Sequence, residues 1–232
     1  PMPARAIFRH HAPMSDTFDL FAAPDTGESA PERVDEGVVL LRARASPLAA
    51  ALLVELATVF AAAPLRQMVT PGGLTMAVAM TNCGELGWVS DLKGYRYAAA
   101  DPESGLAWPA MPPAFRTLAS EAAAAAGFPD FTPDVCLVNQ YLPGNRLSLH
   151  QDRDERDFSQ PIVSVSLGLP ASFMLGGLLR AAPTRRLTLQ HGDVLVWGGP
   201  ARLRFHGVLA LKDGVHPQLG ARRINLTFRR AR

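Results

Sequence analysis

The chain has 232 residues, 48% of them hydrophobic, enough for one sizeable domain with a buried core, which excludes a disordered or fibrous protein. A net charge of +2 does not by itself argue for nucleic acid. Ten arginines from Arg180 to Arg232 nevertheless crowd the last quarter, either as a face for a polyanion or as ordinary solvated strand residues.

Residues 1 to 34 mix Pro, Ala, Asp, Glu and His without periodicity and read as a flexible extension. Val38 to Arg44 is a strand candidate. Ser46 as N-cap and Pro47 at the first helical position predict a helix through Ala63. Pro71-Gly72-Gly73 is a turn between the extended runs Arg66–Thr70 and Leu74–Met80. Trp88, Tyr95 and Tyr97 follow among glycines, either as a pliable cover with exposed aromatic rings or as an ordinary hairpin with half-buried ones.

A second helix is predicted over Ala114–Ala126, closed by Gly127. Eight strand candidates then follow: Val135–Tyr141, Leu147–Asp152, Ile162–Leu167, Ser172–Leu175, Arg186–Leu189, Val194–Trp197, Leu203–Val208 and Arg223–Arg230. The expected fold is mainly β (α+β), a double-stranded β-helix or jelly roll with an interior cavity and flanking helices. Cys83 and Cys136 make neither a disulfide framework nor a cysteine-rich zinc site. No basic-then-apolar segment opens the sequence, and the longest apolar stretch, Pro47 to Pro64, is interrupted by Glu55. A cytoplasmic, monomeric protein with no membrane partner is expected.

The chemistry gathers around Leu147 to Glu155. His150 and Asp152 are two apart, so on an extended strand both side chains leave one face. A second imidazole would complete a two-histidine, one-carboxylate triad that holds one face of Fe(II) and leaves the other open. His-x-Asp alone is weak and occurs in surface loops by chance. Of the remaining histidines, His10 and His11 lie in the extension, His191 and His216 in turns, and His206 on a strand, which makes His206 the candidate.

Arg223 to Arg229 alternates, with Ile224, Leu226 and Phe228 on one face and Arg223, Asn225, Thr227 and Arg229 on the other. Arginines on an inner face need an anion; on an exposed face they need nothing. The strand alone leaves the two readings even. Asn139 and Tyr141 share a face of an earlier strand, and with two arginines they suit a small dicarboxylate.

Taken together, Arg66–Gly73, Met80–Gly84, Leu147–Glu155, Pro161–Pro170, His191–Asp193, Val196–Gly199 and Asn225–Arg229 resemble the AlkB family of Fe(II)- and 2-oxoglutarate-dependent dioxygenases, over roughly residues 36 to 231. The resemblance implies oxidative demethylation of alkylated bases such as 1-methyladenine and 3-methylcytosine. The substrate would be DNA, with single strands preferred, and possibly RNA; the products would be formaldehyde, succinate and CO2. It implies a nucleotide-recognition lid within residues 35–112 and a dioxygenase core over 113–232.

By the same resemblance His150, Asp152 and His206 bind Fe(II), and 2-oxoglutarate and O2 are co-substrates. Arg223 takes the 2-oxoglutarate carboxylate near the iron and Arg229 the distal one, with Asn139, Tyr141 and Asn225 assisting. Trp88 and Tyr95 shape the base pocket, Trp88 and His206 sandwich the flipped base, Asp154 meets its exocyclic amine, and Arg180 contacts substrate. Leu179 stands where a second cation would be unsurprising, which implies a weaker grip on phosphate. The alternatives are a same-fold oxygenase acting on protein, lipid or a small molecule, and a jelly-roll binding module with a merely structural metal.

Overall fold

The computed structural model describes residues 30–232, so the expected flexible extension lies outside the described residues except at its end. There, Glu32–Asp35 forms strand β1, hairpinned onto β2, Val38–Leu41. The first helix starts later than its proposed cap. Ser46–Leu48 is a 3₁₀ turn, and α1 runs over Ala49–Ala62 with no side-chain cap. The Ser46 hydroxyl donates instead to the His191 carbonyl at 3.4 Å, tying this turn to the core strands.

Next come β3 (Arg66–Val69), β4 (Thr75–Gly84), β5 (Gly87–Asp91), β6 (Gly94–Ala98) and α2 (Pro113–Ala125). The eight later strands are β7 (Val135–Tyr141), β8 (Leu147–His150), β9 (Ile162–Gly168), β10 (Ala171–Leu175), β11 (Arg185–Leu189), β12 (Val194–Trp197), β13 (His206–Val208) and β14 (Arg223–Arg229). These eight divide four and four. One sheet has the order β1-β2-β12-β9-β14-β7-β4-β3, the facing sheet β11-β10-β13-β8, and β5-β6 pair separately. This is the expected double-stranded β-helix. Residues 35–112 are woven into it: β2 pairs with β12 and β4 with β7, leaving β5-β6 as the part that stands apart.

Two apolar layers follow from strand alternation. Ile224, Leu226 and Phe228 join Val163, Val165, Leu52, Leu56 and Phe115 beneath the helices, with Phe115 edge-on to Phe228 at 6.2 Å. Val38, Leu40, Leu137, Phe173, Leu195 and Trp197 fill the space between the sheets. Because the apolar residues of β14 face the helices, its polar residues must face the opposite sheet. Arg223 is 1% exposed and Arg229 5%, which settles the question that alternation left even.

Candidate metal centre and its cavity

Strand register brings the imidazoles together. His206 on β13 pairs directly with His150 on β8, their ring centroids 4.4 Å apart. Gly207 permits that approach, since a Cβ there would lie 2.7 Å from the Leu147 carbonyl oxygen. Asp152 is not on the strand with His150 as expected; β8 ends at His150 and the carboxylate returns from the loop beyond. Its oxygens lie 3.6 Å from His150 Nε2 and 3.7 Å from His206 Nε2, and one ligand atom from each of the three falls within a 4.8 Å span.

Each imidazole is oriented by its other nitrogen. His150 Nδ1 is 2.8 Å from the Ser148 carbonyl and His206 Nδ1 3.0 Å from that of Arg204. A carbonyl only accepts, so Nδ1 carries the proton and both Nε2 lone pairs point toward the carboxylate, as ligation requires. Burial and the neighbouring His150 push His206 down to about 4, so it is neutral and able to ligate. Burial would raise Asp152, but Arg229 and the two imidazoles hold it well below the usual carboxylate range. Two imidazoles and one carboxylate fit Fe(II). Gly207→Ala is expected to push β8 from β13 and lower turnover about 10²-fold, the usual cost of misplacing reacting groups by about 1 Å; titration with Mn(II) would show weakened metal binding in parallel.

The two arginines of β14 differ in their distance from the cluster. Arg229 is the one beside the metal site, its Nη2 and Nε donating to Asp152 Oδ2 at 2.7 and 3.0 Å. Arg223 lies six residues upstream, over the Tyr141 ring at 5.0 Å, with Nη2 donating to Ser166 Oγ at 3.0 Å. Its Nε and Nη1 are buried with no hydrogen-bond partner among the described residues, as is Nη1 of Arg229. Buried guanidinium donors left empty in a polar cavity fit a carboxylate ligand. Asn139 lines the same space, its Oδ1 unpartnered. Asn225 lines it too, but its amide bonds Ser164 Oγ and the Val165 carbonyl and accepts from Thr227.

The cavity, about 830 Å³, opens under β5-β6. Trp88 and Tyr95 stack at its mouth, 5.6 Å apart and 14° from parallel, and the indole N–H donates to Asp154 at 2.8 Å. The segment is an ordinary hairpin that also serves as a wall. Asn82 holds both backbone groups of Trp88, and Ser90 donates to the Val69 carbonyl. Arg180 lines the mouth with its guanidinium donating to the Leu149 carbonyl at 2.7 Å.

Trp88 and His206 both line this cavity, but the two imidazoles differ in access. The face of His206 is covered by Phe173, 5.8 Å away at 20°, and its side chain is 6% exposed, whereas the His150 side chain is 35% exposed.

Sequence reasoning also missed several residues. Arg146 and Arg153 line the mouth outside the arginine-rich quarter. Many arginines of that quarter are instead structural, Arg204 pairing with Asp35, Arg232 with Glu85 and Arg202 with Glu155. Glu155 and Arg202 form a buried layer behind Asp152 that no spacing along the chain announced.

A family model described as the 2OG-Fe(II) oxygenase superfamily matches residues 37–229. The chain is 54% identical over 213 residues to alpha-ketoglutarate-dependent dioxygenase AlkB of Escherichia coli (strain K12), covering 92% of this chain and 97% of that one. The chain belongs to the AlkB family of 2OG-Fe(II) oxygenases. AlkB of Salmonella typhimurium is 53% identical over 92% of this chain and 97% of its own. The human nucleic acid dioxygenase ALKBH1 is 38% identical over 39% of this chain and 23% of its own. A solved structure of OsALKBH1 superposes with a TM-score of 0.76 at 28% identity, covering 86% of this chain and 99% of that one. As an AlkB-family enzyme the chain is a dioxygenase that uses Fe(II), 2-oxoglutarate and O2, which the donor set described above fits. No helix among the described residues is long and apolar enough to cross a membrane.

Proposed function

We propose that this AlkB-family dioxygenase removes methyl groups oxidatively from alkylated bases, 1-methyladenine and 3-methylcytosine in DNA first, with RNA as a further substrate. The observation that carries the reading is the stacked Trp88–Tyr95 wall, with Asp154 on the indole, standing over the His-Asp-His cluster. Methylation of the pairing nitrogen makes these bases cationic, and aromatic faces and a carboxylate favour a cation. The relatives point the same way: one is named a nucleic acid dioxygenase and an Arabidopsis thaliana relative a DNA N(6)-methyladenine demethylase.

The metal and co-substrate, when bound, supply the oxidation of the methyl C–H bond. His150, Asp152 and His206 would hold Fe(II), Arg223 the far carboxylate of 2-oxoglutarate, and Arg229 would steady Asp152 and the near one. Phe173, Trp197 and Leu137 keep that end dry. The hydroxymethylated nitrogen then releases formaldehyde and the restored base. The cavity is internal, so the base must leave its stack at a cost of a few kcal/mol, less when it is damaged or single-stranded. That favours single strands.

Arg146 and Arg153, cations at the mouth with no carboxylate partner among the described residues, suit backbone phosphates. Replacing either by alanine is expected to flatten the salt dependence of oligonucleotide binding by about 0.7 in log–log slope, the single-strand value per phosphate; an unchanged slope would remove that residue from the interface.

The free, buried Cys83 and Cys136 suit a reducing cytoplasm. The deciding experiment is mass spectrometry of methylated oligonucleotides incubated with iron, 2-oxoglutarate and air. Loss of the methyl group with matching succinate release is expected. Equal turnover of the free methylated nucleoside would favour a small-molecule oxygenase instead.

A further inference from the structure

Behind the metal ligands lies a buried cluster of two carboxylates and two guanidiniums. Arg229 bonds Asp152 Oδ2 and lies 3.3 Å from Glu155 Oε1 through Nε. Arg202 lies 3.0 Å from Glu155 Oε2 and donates to the Asp152 backbone carbonyl at 2.7 Å. The charges of the four groups cancel, and Glu155 is 5% exposed. One further group enters this cluster from outside the core. Tyr97, on β6 of the hairpin that carries Trp88 and Tyr95, donates its hydroxyl to Glu155 Oε1 at 2.6 Å. The same carboxylate oxygen therefore faces Arg229 on one side and the hairpin on the other.

We propose that Tyr97 is a positioning residue that couples the hairpin over the cavity to the metal centre, through Glu155 and Arg229 to Asp152. The chain of contacts is short and buried, where hydrogen bonds to charged groups are strong. The hairpin's other side-chain link to the metal-bearing segment, Trp88 to Asp154, is exposed to solvent and touches no member of the cluster. A metal ion drawing on Asp152 changes how tightly that carboxylate holds Arg229. Glu155 then shares the guanidinium differently, and its bond to the Tyr97 hydroxyl adjusts. Loading the metal site thus steadies the hairpin, and an ordered hairpin in turn favours loading, since coupling between two sites is reciprocal.

The test is hydrogen exchange of the 87–98 hairpin, followed by mass spectrometry on the full chain with and without Mn(II) and 2-oxoglutarate in the absence of oxygen. In the unmodified protein the ligands are expected to slow hairpin exchange by about fivefold or more, the lower end of site-to-site coupling. In Tyr97→Phe, which keeps the ring and removes one donor, the slowing is expected to fall below about twofold, and Mn(II)–2-oxoglutarate affinity to drop by the same factor. Glu155→Gln, cutting the link from the other end, should do likewise. A merely structural hydroxyl would lower the melting temperature and leave the ligand-dependent ratio intact. That result, or a hairpin in the unmodified protein indifferent to the ligands, overturns the proposal. No arm contains nucleic acid, so failure of the substrate reading would leave this outcome unchanged.

Discussion

Arg223→Met is expected to raise the 2-oxoglutarate concentration needed for half-maximal turnover by about 10²–10³-fold, roughly 3–4 kcal/mol of binding, while oligonucleotide affinity stays put. The guanidinium is 1% exposed and, among the described residues, leaves Nε and Nη1 without hydrogen-bond partners, which is what the proposed pairing with a ligand carboxylate rests on. Stability should move the opposite way. Removing a buried charge that no carboxylate among the described residues neutralises lifts a desolvation cost from the unliganded fold. The variant should therefore melt at the same temperature or higher without 2-oxoglutarate and lose the stabilisation that 2-oxoglutarate confers on the parent. Arg229→Met should behave differently, because its partner Asp152 would be left buried and uncompensated. Titration of turnover and of melting temperature against 2-oxoglutarate checks both. An increase below tenfold for Arg223→Met, or an equal loss of oligonucleotide binding, would remove it from the co-substrate site.

His150→Ala and Asp152→Ala are both expected to abolish turnover, yet to differ sharply in stability. His150 is partly exposed, and its Nδ1 bonds its own strand at the Ser148 carbonyl. Its loss should leave the melting temperature nearly unchanged. Asp152 is buried against Arg229 at 2.7 Å, and removing one partner of such a pair costs about 3–5 kcal/mol. Glu155, 3.3 Å from the same guanidinium, offsets part of that. Succinate release and calorimetry on the metal-free proteins separate the two effects. An Asp152→Ala protein as stable as the parent would mean that the Arg229 pair is not formed in solution.

Local pattern was most informative where periodicity maps directly onto a face. Alternation placed Arg223, Asn225 and Arg229 together, and propensity located α2 to within a residue at either end. It failed where a side chain's partner is remote in sequence. Ser46 looks like a cap until the His191 carbonyl, brought alongside by the fold, claims its hydroxyl. Nor does anything along β14 say which of its two arginines meets Asp152.

By itself, then, the sequence determined the eight-strand core, the His150–Asp152 pair with His206 as its partner, and the aromatic, arginine-bearing character of the cavity, because each is a matter of residue type and short-range spacing. Tertiary structure alone decided that the arginine face of β14 turns inward, that Arg229 and not Arg223 meets Asp152, that His150 is the more exposed imidazole, and that Tyr97 reaches Glu155. Those outcomes depend on register and on which sheet faces which, set by long-range pairing that no local pattern encodes.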